Sequence, residues 1–183
     1  MMSREAAIEL IRKHVSKEFN VKHMIAVGAI MHGVALKLNE DAERWELAGL
    51  LHDVDFEMCS GPTDHTLKAQ ELLQGIVDQE IIDVIKAHNW EHTHIRLDSK
   101  FKLGLVCCDA ASGLLVACAL VMPNKKLSEV KPESVLKKYG SKDFAKGASR
   151  ERMAMCSQIG LDLPEFLSIA LTSMRERAQE LGL

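Results

Sequence analysis

The chain has 183 residues, a net charge of −3, 47% apolar side chains and only 4% aromatics. That size and apolar share suit a single domain with a full core, expected over 1–183. The mildly acidic balance argues against a general nucleic-acid or membrane-surface binder, and a composition dominated by Ala, Leu, Ile, Lys and Glu favours an all-α fold. Apolar spacing predicts a first helix over 3–19, carried by Ala7, Ile8, Ile11, Val15 and Phe19. A second is expected over 21–38, with Met24, Val27, Met31, Val34 and Leu38 on one face. Asn39-Glu40-Asp41 breaks it before a third helix over 41–52. The stretch 54–63, with Gly61-Pro62, reads as loop. Thr63 or Asp64 is placed to cap a helix over 64–74, which Gly75 ends, and another follows over 78–88. A long apolar helix covers 99–121 and stops near Pro123. Short helices with turns at Gly140 and Gly147 follow, then a last helix from Pro164 to Glu180, with the proline suited to its first turn.

Five cysteines without a CxxC pair give no disulfide framework, and reduced thiols in a cytoplasmic protein are expected. Met1 to Val15 mixes charges with apolar residues and lacks the apolar core of a signal peptide. The run Leu103 to Met122 is long enough to span a bilayer and carries a single charge, Asp109. Gly104, Ser112, Gly113 and three cysteines lower its hydrophobicity, and a charge in a span is unfavourable. A buried central helix with a functional carboxylate is the better reading, with no membrane partner.

The chemistry centres on Leu50-Leu51-His52-Asp53, where an adjacent imidazole and carboxylate end an apolar helical run. Burying both is costly unless something pairs with them. A divalent cation is an efficient partner, since the imidazole gives a nitrogen and the carboxylate can bridge two ions. Asp109 poses the same problem in Val106-Cys107-Cys108-Asp109-Ala110. Without a partner its carboxyl would be driven neutral, and a cation removes that problem. His23, His65 and His88 lie where a helical scaffold could gather them, giving the order H…HD…H…H…D.

That order, with Gly49-Leu50-Leu51-His52-Asp53 as its specific part, resembles the HD-domain superfamily of metal-dependent phosphohydrolases, and within it the small bacterial HD/HDIG-type hydrolases of unassigned substrate. The resemblance implies an all-α helical bundle with a metal-binding core over about 20–120 and a helical extension over 121–183. It implies metal ligation by His23, His52, Asp53 and Asp109, with His65 and His88 adding a second position bridged by Asp53. His23 is preferred to His32 because such domains place the first histidine early in its helix, so that the hairpin returns to the His-Asp pair. The mixed nitrogen and oxygen donors suit one or two ions of Mn, Fe, Co, Ni or Zn better than Mg. A metal-activated water would then attack a small phosphorylated substrate.

Lys131 to Arg152 is rich in Lys and Arg, and Arg150 is the candidate for bidentate phosphate recognition, with Lys68 a second possibility. With Asp53, Arg150 completes the catalytic set. Asp55 and Glu57 read as loop acids. His14, His92 and His94 read as ordinary polar residues. His88-Asn89-Trp90-Glu91-His92 also fits the H-x-x-E-H pattern of inverted zinc peptidases, but only if one helix runs through Trp90, and it leaves His52-Asp53 and Asp109 unexplained. Two other function classes stay open: a di-iron oxygenase with the same ligand order, and a ligand-binding module with little catalysis.

Overall fold

The computed structural model describes residues 2–183. Helix α1 (Arg4–His14) is capped by Ser3, whose hydroxyl accepts from the Ala6 N–H at 3.2 Å. It ends earlier than the periodicity predicts. The N–H groups of Ser16 and Lys17 turn instead to the Glu57 carboxylate at 3.0 and 2.9 Å, and α2 (Glu18–Leu38) starts afresh. Asn39 closes α2 in the left-handed region, at φ 56°, a conformation asparagine tolerates. Asp41 caps α3 (Ala42–Leu51) through the Arg44 N–H.

The α2–α3 hairpin packs backbone against backbone. A Cβ on Gly49 would lie 2.8 Å from the Gly28 Cα, so neither position has room for a side chain. A 3₁₀ turn at Phe56–Met58 leads to α4 (Leu67–Leu73) and α5 (Gln79–His88), the latter capped by Asp78. After the short α6 (Trp90–Thr93) comes α7 (Lys100–Leu120), capped by Ser99. Helix α7 is apolar around most of its circumference because α2, α5, α9 (Arg150–Ala154) and α10 (Leu163–Glu176) all pack on it. Helices α2 and α7 are long and apolar enough to cross a bilayer, but most of each is buried inside the fold.

Between α7 and α9 lies α8 (Pro132–Tyr139), which starts on a proline. The last predicted helix is divided at Arg177, whose φ of −108° and ψ of 13° separate α10 from α11 (Ala178–Leu181). The fold is all-α: among the described residues there is no strand, only one isolated bridge between Gln74 and Val77. Buried apolar residues from Ala7 to Leu181 form one cluster, with α2, α3 and α7 at its centre.

Candidate metal centre

Five elements bring their side chains to one place. His52 and Asp53 leave the C-terminal end of α3, His23 comes from the first turns of α2, and Asp109 from the middle of α7. His65 directly precedes α4, and His88 is the last residue of α5. His52 has no exposure and His88 is 5% exposed. Gly28 and Gly49 set how closely α2 and α3 approach, and therefore how far His23 stands from the His-Asp pair.

The ring orientations follow from one rule: each histidine places its Nδ1 on a fixed hydrogen-bond partner. His52 Nδ1 donates to the Gly49 carbonyl at 2.8 Å and His88 Nδ1 to the Ile85 carbonyl at 2.6 Å. His65 Nδ1 donates to Asp55 Oδ1 at 2.9 Å. Ser112 spends its own proton on the Asp109 carbonyl at 2.8 Å, so its oxygen accepts from His23 Nδ1 at 3.1 Å. The Nδ1 partners thus turn all four Nε2 atoms inward, where a neutral ring carries its free lone pair.

One of those inward atoms has no partner. His52 Nε2 is buried and makes no hydrogen bond at all. The Nε2 atoms of His65 and His88 face each other at 3.0 Å. Two such lone pairs repel unless a proton or a cation lies between them. Asp53 divides the group. Its Oδ2 lies 3.4 Å from His52 Nε2 and 3.7 Å from His23 Nε2, while its Oδ1 lies 3.2 Å from His65 Nε2 and 3.4 Å from His88 Nε2. Asp109 Oδ1 completes the first side, 3.2 Å from His23 Nε2 and 3.9 Å from His52 Nε2. The donor atoms of His23, His52 and Asp109 all lie within 4.8 Å of one another, as do those of His52, Asp53 and His88. Imidazole nitrogens and carboxylates in this arrangement could hold a divalent ion.

Titration follows the same geometry. Burial pushes the His52 imidazole down to about 4, which keeps it a neutral donor near neutrality. Burial alone would also lower His65, but its bonds to Asp53 and Asp55 outweigh that and raise it to about 9. Burial opposes ionisation of Asp53, yet the surrounding His52, His65 and His88 hold its carboxyl well below the usual range. Asp109 is likewise lowered against its burial, through His23 and His52.

Asp55 departs from the sequence reading. It is not a loop acid but is fully buried, and its Oδ2 accepts from the N–H groups of Thr66 at 2.7 Å and Ala69 at 2.9 Å. It therefore caps α4 and orients His65 together. Thr66 takes a φ of 72° to present its N–H, an uncommon conformation for a β-branched residue. A third grouping, Asp55, Cys59 and His65, does not suit a cation. Its carboxylate is spent on backbone, and burial beside Asp55 pushes the Cys59 thiol up to about 12. Glu57 is a capping acid too, serving α2 through Ser16, Lys17 and Asn20.

Arg150 is not where the sequence suggests. Its guanidinium donates to the carbonyls of Lys138, Tyr139, Ser141, Phe144, Ala145 and Ala148, and so organises the loop between α8 and α9. Arg152, two residues on, reaches the centre instead. Its Nη1 lies 4.0 Å from Asp109 Oδ2, its Nη2 lies 3.3 Å from Glu91, and its guanidinium covers the Trp90 ring at 4.4 Å. With His23, Asp109 and small residues of α7 and the 145–149 segment, it lines a cavity of about 430 Å³. Lys68 is turned to the Met58 carbonyl and Asp64. His32 lines a separate cavity with Arg4, Glu43 and Glu46. The H-x-x-E-H pattern spans a break at Asn89 between α5 and α6, and His92 Nδ1 is held by Asn89 at 3.0 Å.

An all-α scaffold that turns histidine nitrogens and two carboxylates inward defines a helical protein whose centre could hold divalent cations. Residues 20–97 match the family model of the HD domain, and this match supports membership of the HD-domain superfamily, one of metal-dependent phosphohydrolases. The matched segment contains His23, His52, Asp53, His65 and His88, whereas Asp109 lies beyond it on α7. No curated protein and no solved structure matches the chain.

Proposed function

We propose that this protein is a metal-dependent hydrolase of phosphate esters. One observation carries the reading: the buried, partnerless His52 Nε2 aims into a group whose other donor atoms also turn inward. His23, His52, Asp53 and Asp109 would hold one ion, and Asp53, His65 and His88 a second. Bound there, divalent ions would lower the pKa of a water and polarise a phosphoryl oxygen. The chain's own residues supply the rest. Asp53 sets the separation of the two positions. Ser112 and Asp55 fix the rings of His23 and His65. Arg152, held in place by Glu91 and Trp90, offers a planar fork to the phosphoryl oxygens beside Asp109. Free thiols at all five cysteines support a place in the reducing cytoplasm.

The test is elemental analysis of protein purified without chelator, followed by assay of phosphate esters with each transition metal. One or two ions per chain and metal-dependent phosphate release are expected. Arg152→Ala should raise KM far more than it lowers kcat. Metal-loaded protein that releases no phosphate from any ester would overturn the reading, and oxygen uptake by the iron form would replace it with oxidative chemistry.

A further inference from the structure

His23 lines a second, larger cavity as well as the one that holds Arg152. This groove has a volume of about 660 Å³ and opens on the Asp53 side of the centre. Its walls are Phe19, Phe56, Val116, Leu120 and Leu181. Phe19 is 68% exposed, Phe56 51% and Leu120 50%, an unusual cost to leave in water next to a polar centre. Phe56 stands edge-on to the ring of His65 at 5.7 Å, so apolar surface starts directly beside the donor atoms. Polar groups are few. Beyond His23 and Asp53 its polar side chains are Asn20, whose amide already donates to Glu57, and Lys22, with backbone of Gly182 and Leu183 at one edge.

A sugar or nucleoside phosphate would bury hydroxyls against these walls with almost nothing to bond them, which costs affinity. The Arg152 side is lined by small residues and adds a guanidinium and the Ser149 hydroxyl, which suit a phosphoryl dianion. The two cavities meet at His23 and Gly113, so a single ester could place one end in each. We infer that the substrate is a phosphate monoester with an apolar alkyl or aryl group, whose phosphoryl end faces Arg152 and whose apolar group lies in the groove of Phe19, Phe56, Val116, Leu120 and Leu181. This rests on the phosphohydrolase reading for the reaction, but the groove's preference for apolar chains can be measured without it.

The experiment follows n-alkyl phosphates from methyl to octyl, in which leaving-group acidity is nearly constant, on the manganese-loaded protein. In parallel, calorimetry follows binding of the matching alkylphosphonates, which cannot be hydrolysed. The expected gain is about two- to four-fold in kcat/KM and in affinity per methylene while the chain lies in the groove. Phe19→Ser and Leu120→Ser, both at exposed positions, should collapse the octyl-to-methyl ratio toward one. Leu36→Ser, an exposed leucine outside the groove, should leave the ratio alone. Hydrolysis with no dependence on chain length in rate or binding would overturn the inference and leave the phosphohydrolase standing. Length-dependent phosphonate binding with no hydrolysis would uphold the groove and overturn the reaction. Glycerol phosphate or a nucleoside monophosphate turned over faster than octyl phosphate would also overturn the inference.

Discussion

The two sides of Asp53 are built differently. His23, His52 and Asp109 stand on α2, α3 and α7, the helices at the centre of the core, and their positions are fixed by packing that exists for the whole fold. His65 and His88 stand at the edges of short helices, and His65 is held by a single buried carboxylate and a threonine in a left-handed conformation. The first side is prepared by the core, whereas the second is prepared by a few hydrogen bonds. Such sites differ in how easily they open, because local stability follows local packing.

That contrast can be broken most directly at the shared ligand. Asp53→Ala should empty both positions in elemental analysis and reduce phosphate release by at least about a hundred-fold. If one ion remains at full affinity, Asp53 is not the bridge. Asp109→Asn should retain the fold and lose the core-side ion, because an amide is a poor ligand for a hard cation. His65→Ala should lose only the other ion. If each variant lost both ions equally, the two sides would be one cooperative unit.

Asp55→Asn sharpens the comparison at smaller scale. It should weaken the His65–His88 position about ten- to a hundred-fold in metal titrations while the core-side affinity holds. Equal weakening of both would show that Asp55 acts through general stability instead.

The two sides should also respond oppositely to pH in chelator-treated protein. His65 is raised from 6.5 to about 9 in the fold, so the stability it adds is full below pH 6.5 and lost as pH rises toward 9. His52 is lowered from 6.5 to about 4, so the unfolded chain binds its proton first and stability falls as pH drops from 6.5 toward 4. The Tm of the metal-free protein should peak near pH 6.5, and His65→Gln should remove the decline on the alkaline side. Loading the metal at pH 7.5 should release a proton from His65, visible as a calorimetric heat that depends on the buffer. A buffer-independent heat would place His65 outside the ligand set.

The smallest expected effect lies away from the centre. Glu57 is held at about 2 by its bonds to Ser16, Lys17 and Asn20. Its contribution is present above pH 4.5 and is lost as pH falls toward 2, so Glu57→Gln should flatten the acid side of the Tm profile in that range.

What the sequence made legible follows the same division. His52, Asp53 and Asp109 stand out because each is a polar group inside an apolar helical run, and burial of such groups demands a partner. His65 and His88 carry no such signal, and only their order and approximate spacing point to them. Asp55 escaped because its burial depends on a left-handed turn at Thr66, which no hydrophobic period encodes. Arg150 and Arg152 differ by two residues, about 200° around a helix, so which one meets the phosphate side is decided by where α9 starts. The carbonyls that capture Arg150 come from an irregular loop whose path leaves no pattern in the residues. The break between the first two helices was hidden similarly, since the acid that stabilises it, Glu57, lies some forty residues downstream.

Gly49 carries two duties at once. Its missing side chain lets α3 settle on α2, and its carbonyl takes the Nδ1 proton of His52. Any larger residue there would lift the helix and tilt the ligand in the same movement. Mutational drift at this position therefore has no compensating direction: a change tolerated by the core would still be recorded by the imidazole it carries. The hairpin works as a ruler, and wear on the ruler would first be read as a misplaced ion.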